Sequence, residues 1–240
     1  MPKSIAVFGT GPRLGRAVAH RYAREGYAVV LVARRRQPLE DLASDLAGTG
    51  ATVHVLPTDL SEPSAVPGLA ERIRAQVGDP DVLYYGPSVG GFVSATTLTP
   101  EYAYDTMPLG LYTLLALVQE FLPPMVERGR GAILTAQGAS AVHGWANMSG
   151  TGPVLAARRN YLQSLHQEVS KQGVYVGSLH VGAAIEHTPF HAAQERARAA
   201  GTLVAEVPTV DPDHLADLLW AMHHTKSQPE VTYPEGLLGP

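Results

Sequence analysis

Residues 4–26, SIAVFGTGPRLGRAVAHRYAREG, set an apolar strand, a glycine-rich turn and an amphipathic helix in direct succession. Leu14, Val18 and Tyr22 recur at helical spacing straight after the turn. Gly9, Gly11 and Gly15 let the backbone turn tightly and approach a pyrophosphate at the helix N-terminus, where free N–H groups and the helix dipole favour negative charge. A glycine pattern alone says little. A strand before it and a helix after it make a dinucleotide site the better reading than a turn with no ligand.

Beyond this unit, strand-like and helix-like segments alternate to the end of the chain. Runs at 28–34, 52–58, 81–85, 132–136 and 175–180 are rich in β-branched or aliphatic residues. Helical patterns lie between them near 38–47, 63–77, 100–128 and 152–172, with a last helix over 212–225 and a final strand within 228–233. Repeated βα alternation predicts the α/β class: a Rossmann-type, doubly wound parallel sheet with helices on both faces. Right-handed crossovers bring the strand C-termini, and with them the ligand crevice, to one edge. No linker or repeat interrupts this order, so residues 1–240 read as a single domain. Pro123-Pro124 is expected to break the pattern near the end of the long helix. Residues 183–210 look like an insertion, either a substrate lid or a packed helical connector.

Composition excludes several function classes. Net charge is −4 and the longest charge block is Arg34-Arg35-Arg36, which leaves no electrostatic footprint for nucleic acid. With no cysteine there is no disulfide, thiolate metal site or cysteine nucleophile. The first strand starts by Ser4, leaving no room for a signal peptide, and the longest apolar run, 109–118, is too short to cross a bilayer. The expectation is a soluble cytoplasmic protein with no membrane partner.

The second strand ends in Arg34-Arg35-Arg36. An acid there would bond a ribose 2′-hydroxyl, whereas arginine accommodates the 2′-phosphate of NADP. A guanidinium makes charge-assisted, often bidentate phosphate contacts, so NADP is favoured over NAD. The competing role for these arginines is to solvate the start of the second helix. Arg13, inside the glycine turn, would add a second phosphate contact. Asp59-Leu60, after the third strand, is placed beside an adenine ring, though Asp59 equally suits an N-cap for the next helix.

With these residues in place the chain resembles the short-chain dehydrogenase/reductase family over nearly its whole length. The resemblance rests on the Gly9/Gly11/Gly15 turn, Arg34, Asp59-Leu60, the fourth strand running into Gly86, Gly131-Ala-Ile-Leu, and LHQEVSKQGVYV before the sixth strand. It implies an NAD(P)-binding fold, with Leu14 and Arg35 joining the cofactor set, and homo-oligomers built on helices near 108–128 and 152–172. The family usually transfers hydride with a Ser, a Tyr and a Lys, often aided by an Asn. Carried over, those positions fall on Gly138, Thr151, Leu155 and Met107. The Asn-Ala-Gly after the fourth strand becomes Tyr85-Gly86-Pro87, and Pro-Gly after the sixth becomes Val181-Gly182.

One check is independent of register. The only lysines are Lys3, Lys171 and Lys226, and no tyrosine stands four residues before any of them. A threonine hydroxyl is too weakly acidic to replace the tyrosine. Losing a positioned acid costs about 10²–10⁴-fold. Transfer to a conjugated or cationic acceptor, which needs no strong acid, would survive better.

Gln137, Ser140, His143 and Trp145 follow the fifth strand, where this fold puts its substrate. His143 is the titratable candidate, against the alternative of an exposed or capping loop histidine. His187, His191 and Glu195 have metal-ligand spacing, but no zinc signature accompanies them and ordinary solvated helix explains them; no metal is expected. Five tyrosines (84, 85, 102, 104 and 112) suit a flat substrate or, more simply, packing. Three readings result: an NADP-binding oxidoreductase with an atypical active site acting on a small organic molecule; a cofactor-binding protein without turnover, in a regulatory or assembly role; and a non-redox isomerase or cyclase recruiting His143 or Thr151.

Overall fold

Strands that are apolar at every position, rather than at alternate ones, need cover on both faces. In the computed structural model, which describes residues 3–200 and 207–236, β1 (Ser4–Phe8), β2 (Ala28–Val32) and β4 (Val82–Tyr85) are buried at every residue. With β3 (Val53–Val55), β5 (Gly131–Gly138), β6 (Val174–Val181) and β9 (Glu230–Tyr233) they form one parallel seven-stranded sheet, in the order β3-β2-β1-β4-β5-β6-β9. Helices cover both faces of this single domain, as expected.

Strand parity sorts the core into two layers. One face packs Ile5, Val7, Val29 and Leu31 against α1 (Leu14–Arg24), α2 (Arg36–Ala47) and α8 (Pro212–Thr225). The other packs Ala6, Phe8, Val30 and Leu83 against α3 (Val66–Val77), α5 (Thr113–Glu127) and α6 (Gly152–Val169). Each fully buried Val, Leu, Ile or Phe contributes about 1.5–3 kcal/mol.

Several boundaries differ from expectation. β2 stops at Val32, so Arg34 lies in the turn rather than on the strand, and β3 keeps only three residues of 52–58. The helix expected over 63–77 opens with a 3-10 turn, Pro63–Ala65, and the one expected to 172 ends in another, Ser170–Gln172. The helix expected over 100–128 is α4 (Pro100–Met107), a π-turn at Pro108–Tyr112, then α5. The π-turn sits where Pro108 supplies no N–H. Contrary to expectation, Pro123-Pro124 does not break the helix, which continues to Glu127. The Glu120 carbonyl, left without a partner by Pro124, accepts a hydrogen bond from Arg74 Nη2 at 2.7 Å.

Among the described residues, 100–127 is the one helical run long and apolar enough to cross a membrane by length and composition. Leu114, Leu117, Val118, Phe121 and Met125 are nevertheless buried in the core.

The insertion after β6 holds β7 (Ala184–Ile185), α7 (Pro189–Ala199) and β8 (Thr209–Val210), with β7 and β8 paired in parallel. The rest of the expected lid, 201–206, lies outside the described residues.

Candidate functional site

The strand order reverses between β1 and β4, and the loops leaving these two strands face each other across that switch point. Gly9, with φ +83°, follows β1; a Cβ there would sit 2.6 Å from the Pro87 nitrogen. The glycine therefore permits both the left-handed turn and the close approach of the Gly86-Pro87 backbone. At Gly15 a Cβ would lie 2.8 Å from the Gly9 carbonyl, so this glycine lets α1 seat against the turn. At Gly11 the nearest such neighbour is 3.9 Å away, which leaves its surface open. Among the described residues, the N-cap position of α1, Arg13, makes no side-chain capping hydrogen bond. An open glycine surface beside uncapped helix N–H groups fits a diphosphate.

Arg34, Arg35 and Arg36 are all exposed at the end of β2. Arg36 pairs with Glu40 one turn into α2, at 3.4 Å, and so does the helix-solvating work that was the alternative for this cluster. Arg34 lies close enough to Asp59 to help lower its pKa. The larger causes there are hydrogen bonds from the Ser61 N–H (2.9 Å) and hydroxyl (2.7 Å). Asp59 thus closes a local turn and does not N-cap α3, which begins at Val66. Leu60 is buried in the core, where its carbonyl accepts the Thr113 hydroxyl at 2.7 Å, so its side chain is turned away from the crevice. Leu14 likewise packs onto the core. Arg13 reaches out of the glycine turn, and its Nε donates to the carbonyl of His187, at left-handed φ +61°, just before α7.

The positions assigned to proton transfer are drawn together, but as an apolar cluster. Leu155 packs with Val89, Ala141 and Val154, and Met107 and Leu109 close over them. A Cβ at Gly138 would lie 3.7 Å from Leu155 Cδ1, which keeps the serine position beside the lysine position. Thr151 donates weakly to the Met148 carbonyl (3.3 Å) and sits 3.4 Å from the Ser140 hydroxyl. Above it two loops are sewn together. Ser149 N–H donates to the Val93 carbonyl, and Val93 bridges Met148. At the seam, a Cβ on Gly90 would come within 2.1 Å of the Gly150 carbonyl and 3.2 Å of Thr151 Cγ2. Tyr84 and Tyr85, at the end of β4, are not substitute acids: burial pushes both hydroxyls well above the usual tyrosine range.

Two polar groups lie beneath this cluster. His180 on β6 is fully buried between Gln137 and Glu230 (Nε2 to Oε1, 3.0 Å), and Glu230 takes paired bonds from Arg159 at 2.7 and 2.8 Å. Burial raises the Glu230 pKa, but hydrogen bonds from His180, Arg159 and Gln163 outweigh it and leave the carboxyl far below its ordinary value. The only signal in the sequence was a charged residue within an apolar final strand. Arg158 is also fully buried: Nε donates to the Gly110 carbonyl in the π-turn (2.7 Å), the guanidinium covers the Tyr85 ring, and Nη1 and Nη2 have no hydrogen-bond partner among the described residues.

His143 and Trp145 make an edge-on ring contact, with centroids 6.0 Å apart, on the exposed loop before α6. His187 N–H donates to His191 Nδ1, and His191 Nε2 lies 3.8 Å from Glu195. Ordinary helix-start and i,i+4 contacts therefore account for that spacing.

The profile for short chain dehydrogenases matches residues 3–198. An uncharacterized oxidoreductase of Mycobacterium bovis is 26% identical over 227 residues, covering 90% of this chain. The chain spans only 62% of that relative's length. A fatty acyl-CoA reductase of Acinetobacter baylyi is 26% identical over 219 residues, covering 90% of this chain and 71% of the relative. L-sorbose reductase from Gluconobacter frateurii, solved with NADPH and L-sorbose, superposes with a TM-score of 0.86 at 23% identity, covering 100% of this chain and 97% of that one. The glycine turn at the switch point, the parallel sheet and a profile match over most of the chain agree: the protein belongs to the short-chain dehydrogenase/reductase family.

Proposed function

We propose that this chain is an NADP(H)-dependent oxidoreductase that transfers hydride without a tyrosine–lysine proton donor, to a small acceptor whose product needs no strong acid. The observation carrying this reading is a contrast within one crevice. The diphosphate cradle is open, while Leu155 and Met107, at the lysine and asparagine positions, pack against Val89. In this reading the α1 N-terminus and Gly11 receive the diphosphate, and Arg34 and Arg35 receive the 2′-phosphate. A bound nicotinamide would supply or take up the hydride. The apolar cluster holds no proton to deliver, so the enolate that hydride addition to a conjugated acceptor leaves would take its proton from solvent water once it quits the cluster. NADPH in the sorbose reductase structure supports the choice of cofactor.

Titrating NADPH fluorescence with the protein tests the claim: saturable binding is expected, and none at high micromolar concentration overturns it. Arg34→Ala should weaken NADPH by about tenfold or more while leaving NADH nearly unchanged, because only the 2′-phosphate contact is lost. The apolar cluster also favours a second reading, a cofactor-binding protein without turnover. Stereospecific loss of hydride from labelled NADPH to any of a panel of enones decides for the first reading, and its absence for the second. We propose further that the lid is α7 with its flanking strands, and that a second copy of this chain covers the α5–α6 face.

A further inference from the structure

The walls beyond the proposed hydride-transfer site carry almost no charge. In a chain with 17% charged residues, the loops at 86–99 and 138–151 contain no Asp, Glu, Lys or Arg. Both loops leave the C-terminal ends of neighbouring strands, β4 and β5, at the edge where the crevice lies. Their seam dictates which side chains face outward. Val93 turns inward, since its Cγ2 would lie 2.9 Å from a Cβ on Gly150. Phe92, its chain neighbour, points the other way and is 62% exposed. It stacks on Phe190 of α7, ring centroids 5.2 Å apart and planes 29° from parallel. Trp145, 45% exposed, stands at the turn that holds Met148 beside Val93.

An exposed Phe92 stacked on a half-buried Phe190 from a separate segment leaves apolar ring surface in water that a ligand would cover. Their partner surface on the two loops is neutral, and the third wall holds charges of both signs, Glu186 and the Arg13 guanidinium that donates to the His187 carbonyl. We infer that Phe92 and Phe190 form an aromatic clamp for the substrate, and that the substrate is an uncharged, flat, conjugated carbonyl compound rather than a carboxylate, sugar phosphate or coenzyme A thioester. The inference rests on the proposed hydride-transfer reading for the word substrate, but the clamp itself is a binding claim. A planar enone offers a π-face to the rings and needs no counter-charge from the loops.

Benzylideneacetone and its 4-carboxylate analogue, which differ by one charge, separate the possibilities. Binding is measured by saturation-transfer NMR and calorimetry, on the protein alone and saturated with NADPH, so neither readout depends on turnover. The neutral enone is expected to bind saturably and at least tenfold more tightly than the carboxylate. Phe92→Ala and Phe190→Ala should each weaken it by about three- to tenfold. Circular dichroism and the Tm of each variant confirm that the fold is kept, and Phe92→Leu, which keeps apolar area but no ring, should fall between wild type and alanine. Absence of enone binding, equal affinity for the carboxylate, or unchanged affinity in both alanine variants overturns the clamp. Failure of NADPH to bind while the enone still binds overturns the proposed reaction and leaves the clamp standing.

Discussion

At the level of single residues, the outcome turns on what stands next to a position, not on its identity alone. Thr151, Leu155 and Gly138 suggest a simple repair to Tyr, Lys and Ser, but the surroundings have adapted. Gly90 lies directly over Thr151, and Leu155 is buried among Val89, Ala141 and Val154. A tyrosine at 151 would force the seam apart, and a lysine at 155 would bring an unpaired charge into an apolar cluster at a cost of several kcal/mol. The Gly138→Ser/Thr151→Tyr/Leu155→Lys variant should therefore melt several degrees lower and show no carbonyl reduction. Carbonyl-dependent NADPH oxidation at a wild-type Tm would refute this. Gly9, Gly11 and Gly15 were legible as a tight turn between β1 and α1 because that geometry is local. The apolar fate of Met107 and Leu155 was not, because it depends on Val89 and Ala141 from two other segments.

Elements show the same division. The alternation of strands and helices could be read from period and residue type, and the core faces follow from it. Helix interruptions could not. Pro123-Pro124 reads as a stop, yet α5 runs through because Arg74, on a different helix, supplies the donor that Pro124 lacks. The same guanidinium pairs with Asp79 and with the Glu120 carboxylate. Arg74→Ala should cost about 1–3 kcal/mol in denaturant unfolding, because it leaves a carbonyl unsatisfied. In a Pro124→Ala background the loss should shrink by at least about 0.5 kcal/mol, since the alanine restores a backbone N–H that can take over the Glu120 carbonyl. Equal losses in the two backgrounds would show that the arginine acts only through its ion pairs. The π-turn is another case: Pro108 marks the place, but the Gly110 carbonyl is met by Arg158 from α6.

For the whole molecule, two partly buried groups link folding to pH. His223 on α8 is held in neutral form: burial first, then Lys226 and Lys3, lower its pKa to about 4, while Nδ1 lies 3.0 Å from the Tyr22 hydroxyl. The unfolded chain binds this proton near the ordinary histidine value and the folded protein refuses it. The contribution is therefore complete above about pH 6.5 and lost as pH falls towards 4, amounting to about 3 kcal/mol at most. Glu230, also depressed, adds a further loss below its ordinary carboxylate pKa. His223→Gln should flatten the pH dependence of the Tm between 6.5 and 4, and an unchanged slope would assign it elsewhere.

Assembly is the other question at this scale. A hollow of about 420 Å³ between α5 and α6 is lined by Val118, Leu122, Tyr161 and Leu165. If a second copy covers it, Leu122→Glu should yield monomers by light scattering, whereas the wild type should not be monomeric.

Residue type and period alone determined the α/β class, the covering of both sheet faces, and the glycine turn, because the pattern of each strand and helix is local even where its pairing, such as Ile5 with Val82, is not. What fills the crevice was settled only by tertiary structure. Val89, Met107, Ala141 and Leu155 meet there, as do Phe92 and Phe190, because parallel strands deliver loops from distant parts of the chain to one edge. No local pattern records which of those side chains will face each other.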